Sequence, residues 1–265
     1  MFVFVIPVKS SVVSNDWALF SKLLERTLRS VVGQTNPNFK VIISCHEIPT
    51  LDYSSDKLIF HQVSFPSPVL DGLSAEEKNR TREDDKARKI LEGLSVAMKF
   101  DPEYVMVLDS DDCVHKNLVE RTLNSGRDVP GWYMKQGYIY RESANIAFQN
   151  LQNFHTLCGS SIIVKPRYLK AFISEEPLKY YHHEKIRITD QADLLPFPYP
   201  AVVYSIGNGE NHLMTVQQAK AYNAKYRMFS KEYFKSLIRK LRKYRPRLLT
   251  RSFRKNYGLY KINRT

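Results

Sequence analysis

The chain is 265 residues long, with 43% hydrophobic and 25% charged residues, which predicts a soluble globular protein with a full hydrophobic core. Its three cysteines are odd in number and show no zinc-ligand spacing, which argues against a disulfide framework or a structural zinc site. The net charge of +13 is uneven, because residues 221–265 hold 15 Lys or Arg and one acidic residue, whereas residues 1–220 are close to neutral.

The first half of the chain alternates predicted strands with predicted helices. Apolar runs predict buried strands over residues 2–8, 39–44, 58–63 and 104–108. Apolar residues at helical spacing predict helices over residues 16–32, ended by Gly33, and over residues 84–100. Residues 64–82, with their prolines and polar side chains, predict an irregular loop. This order is typical of an α/β protein with a mixed, mainly parallel sheet flanked by helices.

The second half of the chain gives weaker signals. The patterns predict helices over residues 117–123 and 167–172, strands over residues 160–164 and 201–206, and antiparallel sheet from residue 131. Residues 177–200 predict a loop, and a basic helical segment begins near residue 219. The one compositional boundary predicts a domain over residues 1–220 and a tail over residues 221–265. The apolar run over residues 1–8 is too short for a membrane span and predicts a core strand. The three cysteines, interpreted as reduced thiols, predict a cytoplasmic protein.

Three carboxylates follow the fourth predicted strand: Asp109, Asp111 and Asp112. Ligands of open α/β sheets bind at the carboxyl ends of the strands, and closely spaced carboxylates are costly to bury unless a cation pairs with them. Mg²⁺ or Mn²⁺ prefers carboxylate oxygens and usually keeps a phosphate ligand. The cluster therefore predicts a metal–diphosphate site. A solvated acidic turn that caps the next helix is an equally weighted alternative.

Several motifs, taken in order, resemble a glycosyltransferase of the GT-A fold, similar to family 2. They are Ile6-Pro7-Val8 at the end of the first strand, Ser30 to Thr35 at the end of the first helix, the segment from Asp84 to Arg88, and Asp109-Ser110-Asp111, which matches the D-x-D element. The resemblance covers roughly residues 1–215. It implies a Rossmann-like nucleotide-binding half over residues 1–115 and an acceptor-binding half over residues 116–220.

The resemblance also implies a nucleotide-diphospho-sugar donor, usually UDP-linked, and a divalent cation, Mn²⁺ or Mg²⁺. It implies donor contacts from Pro7, Val8, Glu47, Lys86, Asp109 and Ser110, and metal binding by Asp111 and Asp109. Glu47 is a substitute for the acidic residue that contacts the base in that family. Asp112 is expected to lie behind the metal ligands.

The catalytic base and the third metal ligand depend on later carboxylates and histidines. An inverting transfer needs a carboxylate that accepts the proton of the acceptor hydroxyl, and Glu184 and Asp190 are the first candidates, followed by Asp193. An exposed acid at a helix start is the alternative for Glu184. His212 lies in a glycine-rich turn and is a candidate metal ligand, since neutral imidazole suits Mn²⁺. A turn histidine without a ligand is the alternative for it.

Residues 229–259 combine apolar side chains with many Lys and Arg. The apolar residues form one stripe in a predicted helix that Pro246 ends. A basic amphipathic helix is typical of proteins that bind an anionic membrane surface, so we expect a peripheral location on the inner membrane face. A solvated helix packed on the domain and a nucleic-acid arm are the alternatives. We expect no nucleic-acid partner, since the first domain shows no such module.

The sequence therefore predicts a metal-dependent, inverting glycosyltransferase of the hexosyltransferase type. It would move a sugar from a UDP-sugar to a saccharide or lipid-linked acceptor in cell-surface polysaccharide synthesis. One alternative is a nucleotidyltransferase on a related fold, although the loop Lys9-Ser10-Ser11 lacks the glycines expected of one. The other is a non-enzymatic, basic-tailed protein that binds membranes or nucleic acid.

Overall fold

The computed structural model describes residues 1–126, 128–174, 179–189, 192–210 and 242–262. The helices of these residues are α1 Trp17–Val32, α2 Ala75–Ala97, α3 Leu118–Leu123, α4 Pro166–Leu169 and α5 Arg251–Tyr257. Their strands are β1 Phe2–Pro7, β2 Phe39–Cys45, β3 Leu58–Gln62, β4 Tyr104–Val107, β5 Cys113–Val114, β6 Gly131–Tyr133, β7 Gly137–Arg141, β8 Ile146–Asn150, β9 Ile162–Val164, β10 Ile173–Ser174, β11 Tyr180–Tyr181, β12 Arg187–Thr189, β13 Ala192–Asp193, β14 Leu195–Pro196, β15 Val202–Ile206 and β16 Tyr244–Leu248.

The main sheet has the strand order β14-β6-β9-β4-β1-β2-β3. Strands β4, β1, β2 and β3 run parallel, and β9 is antiparallel to both β4 and β6. One face packs against α1 and the other against α2, which explains why β1 is apolar and buried along its whole length. The predicted α/β class with a mixed, mainly parallel sheet between helices is confirmed.

A second sheet has the order β16-β8-β7-β15-β5. Strand β15 is parallel to β7 and antiparallel to β5, and β8 is antiparallel to both β7 and β16. Because β5 begins directly after Asp112, the acidic cluster lies on the short connection between the two sheets.

Helix α2 begins earlier than the sequence analysis predicts. The predicted loop over residues 64–82 is wrong from Ala75 onward, since Ser74 and Glu77 form a capping box. The Ser74 hydroxyl accepts the Glu77 N–H at 3.3 Å, and the Glu77 carboxylate accepts the Ser74 N–H at 2.8 Å. The loop predicted over residues 177–200 is also wrong in part, because short strands form there.

The C-terminal residues pack on the fold. The predicted helix that Pro246 ends is wrong at its last residues, because Tyr244–Leu248 form strand β16, and residues 229–241 lie outside the described residues. Pro246 of β16 pairs with Phe148 of β8. Strand β16 is the last strand in the described order of its sheet, and proline is tolerated in an edge strand. The division of the chain at residue 220 stays a prediction. No helix among the described residues is both long and apolar enough to cross a bilayer.

Gly258 is expected to be intolerant of a side chain. Its φ of +59° is left-handed, and an added Cβ would lie 2.7 Å from the Ser30 Cα of α1. Gly258→Ala should therefore lower the free energy of unfolding by about 2 kcal/mol more than Gly72→Ala does. Urea titration of the two variants measures this difference. Gly72 is the matched control, because its φ is +76° and nothing lies within 4 Å. Equal losses in the two variants would show that the contact with α1 is unimportant.

Candidate active site

A cavity opens at the carboxyl ends of β1 and β4. Because these strands are parallel neighbours, the residues that follow them meet at the same edge of the sheet. Six residues that the sequence analysis proposed line this cavity together: Pro7, Val8, Lys86, Asp109, Ser110 and Asp111. The structure therefore gathers most of the predicted donor and metal residues at one place.

Asp109 is fixed by groups from two other segments of the chain. Its backbone N–H donates to the Ser160 hydroxyl at 2.8 Å, and its carboxylate pairs with the Lys86 ammonium of α2 at 2.7 Å. Burial alone would lower the pKa of Lys86, but Asp109 and Glu83 together raise it, so Lys86 stays charged. Gly159 allows this close approach, because a Cβ there would lie 2.5 Å from Asp109 Oδ2.

Asp111 lies beside Asp109 in the same cavity. Its Oδ2 accepts a hydrogen bond from the Asn208 amide at 2.7 Å. Burial and the neighbouring Asp109 raise the pKa of Asp111. The two carboxylates repel each other when both are ionised, and a bound divalent cation would relieve this repulsion. Two carboxylates are the kind of ligand that Mg²⁺ or Mn²⁺ binds, but they would leave most coordination positions to phosphate or water oxygens. Within the described residues, no three His, Cys, Asp or Glu side chains converge as metal ligands.

Asp112 points into the protein instead of the cavity. It is fully buried, and its carboxylate accepts hydrogen bonds from the Ser160 hydroxyl at 2.6 Å and the Ser205 N–H at 3.0 Å. It therefore ties the acidic loop to β15 and to the turn before β9. The alternative of a helix-capping acidic turn is wrong, since β5 follows the cluster and Asn117 occupies the N-cap of α3.

Sequence analysis missed several charged residues of the cavity. Three further cations line it, namely Lys9, Arg82 and Lys89, as does the acid Glu210. Lys9 lies two residues after the end of β1, so its position at the carboxyl end of a strand could be predicted from the sequence. The position of Arg82 could not, because a loop was predicted there.

Two of these lysines pair with neighbouring carboxylates. Lys89 pairs with Asp85 at 2.7 Å, and Lys9 pairs with Glu210. Burial lowers the pKa of Lys9, although the negative charges of Glu210 and Asp111 partly raise it again. Glu210 also accepts the Asp16 N–H at 2.8 Å, which holds the residue-210 turn against the start of α1.

The other predicted site residues lie outside this lining. Glu47 accepts hydrogen bonds from the Ser11 N–H and, at 3.4 Å, from the Ser10 hydroxyl, so it fixes the loop after β1. Glu184 is partly exposed and lies 3.1 Å from the His182 ring. Asp193 is exposed and pairs with Arg187. The remaining candidates, Asp190 and His212, lie outside the described residues.

Comparisons with known proteins give weak structural likenesses. No family model matches the chain, and no curated protein matches it. The crystal structure of S. aureus TarS 1–349 is 14% identical over 77% of this chain and 60% of that chain, with a TM-score of 0.43. The same TarS fragment in complex with UDP-GlcNAc is 14% identical over 81% of this chain and 61% of that chain, with a TM-score of 0.42. The chain thus spans about 60% of the length of these TarS structures.

A third likeness is to Francisella tularensis 2-C-methyl-D-erythritol 4-phosphate cytidylyltransferase (IspD). It is 12% identical over 85% of this chain and 100% of that chain, with a TM-score of 0.42. At these scores, the likenesses establish neither a family nor an activity for this chain.

Proposed function

We propose that this chain is a metal-dependent glycosyltransferase that uses a nucleotide-diphospho-sugar, with UDP as the favoured nucleotide. The observation that carries the proposal is the charge arrangement of one cavity. Asp109 and Asp111 provide carboxylate oxygens there, while Lys9, Arg82, Lys86 and Lys89 provide cations. A diphosphate bound through a divalent cation needs both kinds of group.

Asp111 and Asp109 would hold Mg²⁺ or Mn²⁺ in this scheme. When bound, the cation would neutralise negative charge on the diphosphate leaving group. The neighbouring Lys86 would stabilise the same charge, because it is held in position by Asp109 at 2.7 Å. His212 stays a proposed further ligand.

The apolar side of the cavity would hold the nucleoside. Pro7 and Val8 line it at the end of β1, and Phe20 of α1 contributes an aromatic ring. Glu47 would act on the nucleoside indirectly, because its carboxylate accepts the Ser11 N–H and so fixes the loop after β1.

Glu184 is the proposed general base among the described residues. Partial burial opposes its ionisation, but its own backbone N–H and His182 keep the pKa of Glu184 below its ordinary value, so it is ionised at neutral pH. The carbonyl of the preceding residue, His183, accepts a hydrogen bond from the Ser161 hydroxyl at 3.3 Å, and the adjacent Ser160 binds the Asp109 N–H. Asp190 stays a second candidate, as part of an inverting reaction.

The proposed reaction is tested by its products. The protein would be incubated with a panel of UDP-sugars and Mn²⁺, with saccharide and lipid-linked acceptors, while UDP and pyrophosphate are measured separately. Release of UDP with a glycosylated product supports the proposal. Release of pyrophosphate from a nucleoside triphosphate and a sugar phosphate would instead identify a nucleotidyltransferase. A role in cell-surface polysaccharide synthesis would require activity on such an acceptor.

Gly159→Ala is expected to weaken donor binding without unfolding the protein. The new methyl group would lie 2.5 Å from Asp109 Oδ2 and 3.0 Å from Lys86 Nζ, and both are ends of side chains that can move. Displacing them should weaken UDP binding about tenfold in calorimetry, while the urea midpoint changes little. Wild-type affinity in this variant would show that the Asp109–Lys86 pair does not contact the donor.

A further inference from the structure

An exposed apolar face lies at the β8–β16 edge of the second sheet. Ile146, Phe148 and Leu248 are 40%, 50% and 70% exposed. Ile146 is opposite Leu248, and Phe148 is opposite Pro246, so the four residues share one face of the strand pair. Clustered exposed apolar residues of this kind mark an interaction surface more often than scattered ones do.

The chain segment that forms this edge is basic. Residues 242–262 contain eight Lys or Arg and no Asp or Glu, and residues 143–153 of the neighbouring strand region carry no charge. Within β16, Arg245 and Arg247 alternate with the apolar residues and are exposed. The two arginines point to the opposite face of β16 from Pro246 and Leu248, but both sets of side chains lie along the same edge, because β16 ends the described order of its sheet. Apolar side chains flanked by cations are complementary to an anionic lipid surface.

The face is continuous with the candidate active site. Tyr204 of β15 lines the cavity and pairs with Ile139 of β7. Ile139 in turn pairs with Phe148 of β8, and Phe148 pairs with Pro246 of β16. This row crosses four neighbouring strands, a distance of about 14 Å. A surface that contacts Phe148 would therefore lie close to the side of the cavity that Tyr204 forms.

We propose that the β8–β16 face, defined by Ile146, Phe148, Pro246 and Leu248, docks on an anionic lipid bilayer. Pairing with the edge of a second copy is disfavoured, since proline and like-charged arginines at an edge strand oppose such association. The inference differs from the amphipathic helix expected over residues 229–259, because it places membrane contact on a strand pair. If the proposed glycosyl transfer holds, docking would bring the cavity beside a lipid-linked acceptor.

Vesicle binding tests this surface directly. The full chain would be sedimented with phosphatidylcholine vesicles and with vesicles that also contain phosphatidylglycerol. We expect binding only to the anionic vesicles, weakened by salt, and weakened about tenfold by Phe148→Ser or Leu248→Ser. Met98→Ser is the matched control, because Met98 directly follows α2, is 49% exposed, and its substitution should leave binding unchanged.

Other outcomes would overturn the inference. Failure of the wild type to bind anionic vesicles would overturn it. Full binding by both the Phe148→Ser and the Leu248→Ser variants would also overturn it, because the contact would then lie elsewhere in the chain. A dimer that sedimentation equilibrium detects in the wild type and that Phe148→Ser abolishes would assign the face to a second copy. UDP binding, measured in parallel, should be the same in all variants, so a failure of the donor site is distinguishable from a failure of docking.

Discussion

Arg26→Met is expected to lower the free energy of unfolding by about 3–5 kcal/mol. Arg26 is fully buried in α1, and it donates to the Glu142 carboxylate at 2.9 and 3.1 Å. It also donates to the Ser205 hydroxyl at 3.2 Å and to the Tyr260 carbonyl at 3.1 Å. The substitution would leave the buried Glu142 charge without its partner, and it would loosen both β15 and the C-terminal segment. Urea unfolding followed by circular dichroism measures the loss.

Arg29→Met supplies the control for this prediction. Arg29 lies on the same helix, but its side chain is 41% exposed and it pairs with Glu25 within the helix. Such a surface pair contributes only about 0.3–0.5 kcal/mol. If Arg26→Met is no more destabilising than Arg29→Met, the buried network does not stabilise the fold.

Asp111→Asn is expected to weaken Mn²⁺-dependent nucleotide binding by about 100-fold or more. The substitution keeps the shape of the side chain but removes the charge that the divalent cation requires. It also removes a like charge from beside Asp109, so the fold should be as stable as the wild type or slightly more so. Loss of binding together with retained stability would therefore separate a ligand role from a structural one.

Asp128→Asn is the matched control for that experiment. Asp128 is 86% exposed and pairs with Lys165 away from the cavity, so binding should equal that of the wild type. Wild-type affinity in Asp111→Asn would remove this residue from the metal site. Equal losses in both variants would point to a general charge effect.

The sequence predicts the elements whose signals are local. Strand β1 is a continuous apolar run, and α1 begins where Asp16 accepts the Leu19 N–H at 2.9 Å, as its cap pattern indicates. The start of α2 was also readable, because Ser74 and Glu77 have capping-box spacing. The loop predicted over residues 64–82 rests instead on the prolines and polar side chains of that segment.

Elements that depend on distant partners were harder to predict. Tyr244 and Arg245 continue the basic, apolar pattern of the predicted helix as far as Pro246. Strand β8, nearly a hundred residues away along the chain, offers an edge with which Tyr244–Leu248 pair as β16. Intrinsic preference is a weak signal when such pairing is available.

The same limit applies to the candidate site. The D-x-D pattern indicates carboxylates at a strand end, yet it does not show that Asp112 turns inward to Ser160 and Ser205 while Asp111 faces the cavity. Arg82 and Glu210 reach the cavity only through the tertiary arrangement of α2 and the turn after β15. Their roles follow from geometry that no local motif encodes.

The central claim is that this cavity binds a nucleoside diphosphate through a divalent cation. Titration calorimetry of the wild type with UDP, in Mn²⁺ and again after chelation, tests it most directly. We predict saturable binding at one site in Mn²⁺ and its loss when the metal is removed, with weaker binding of GDP. Absence of binding by either nucleotide in Mn²⁺, or equal binding with and without metal, would contradict the claim.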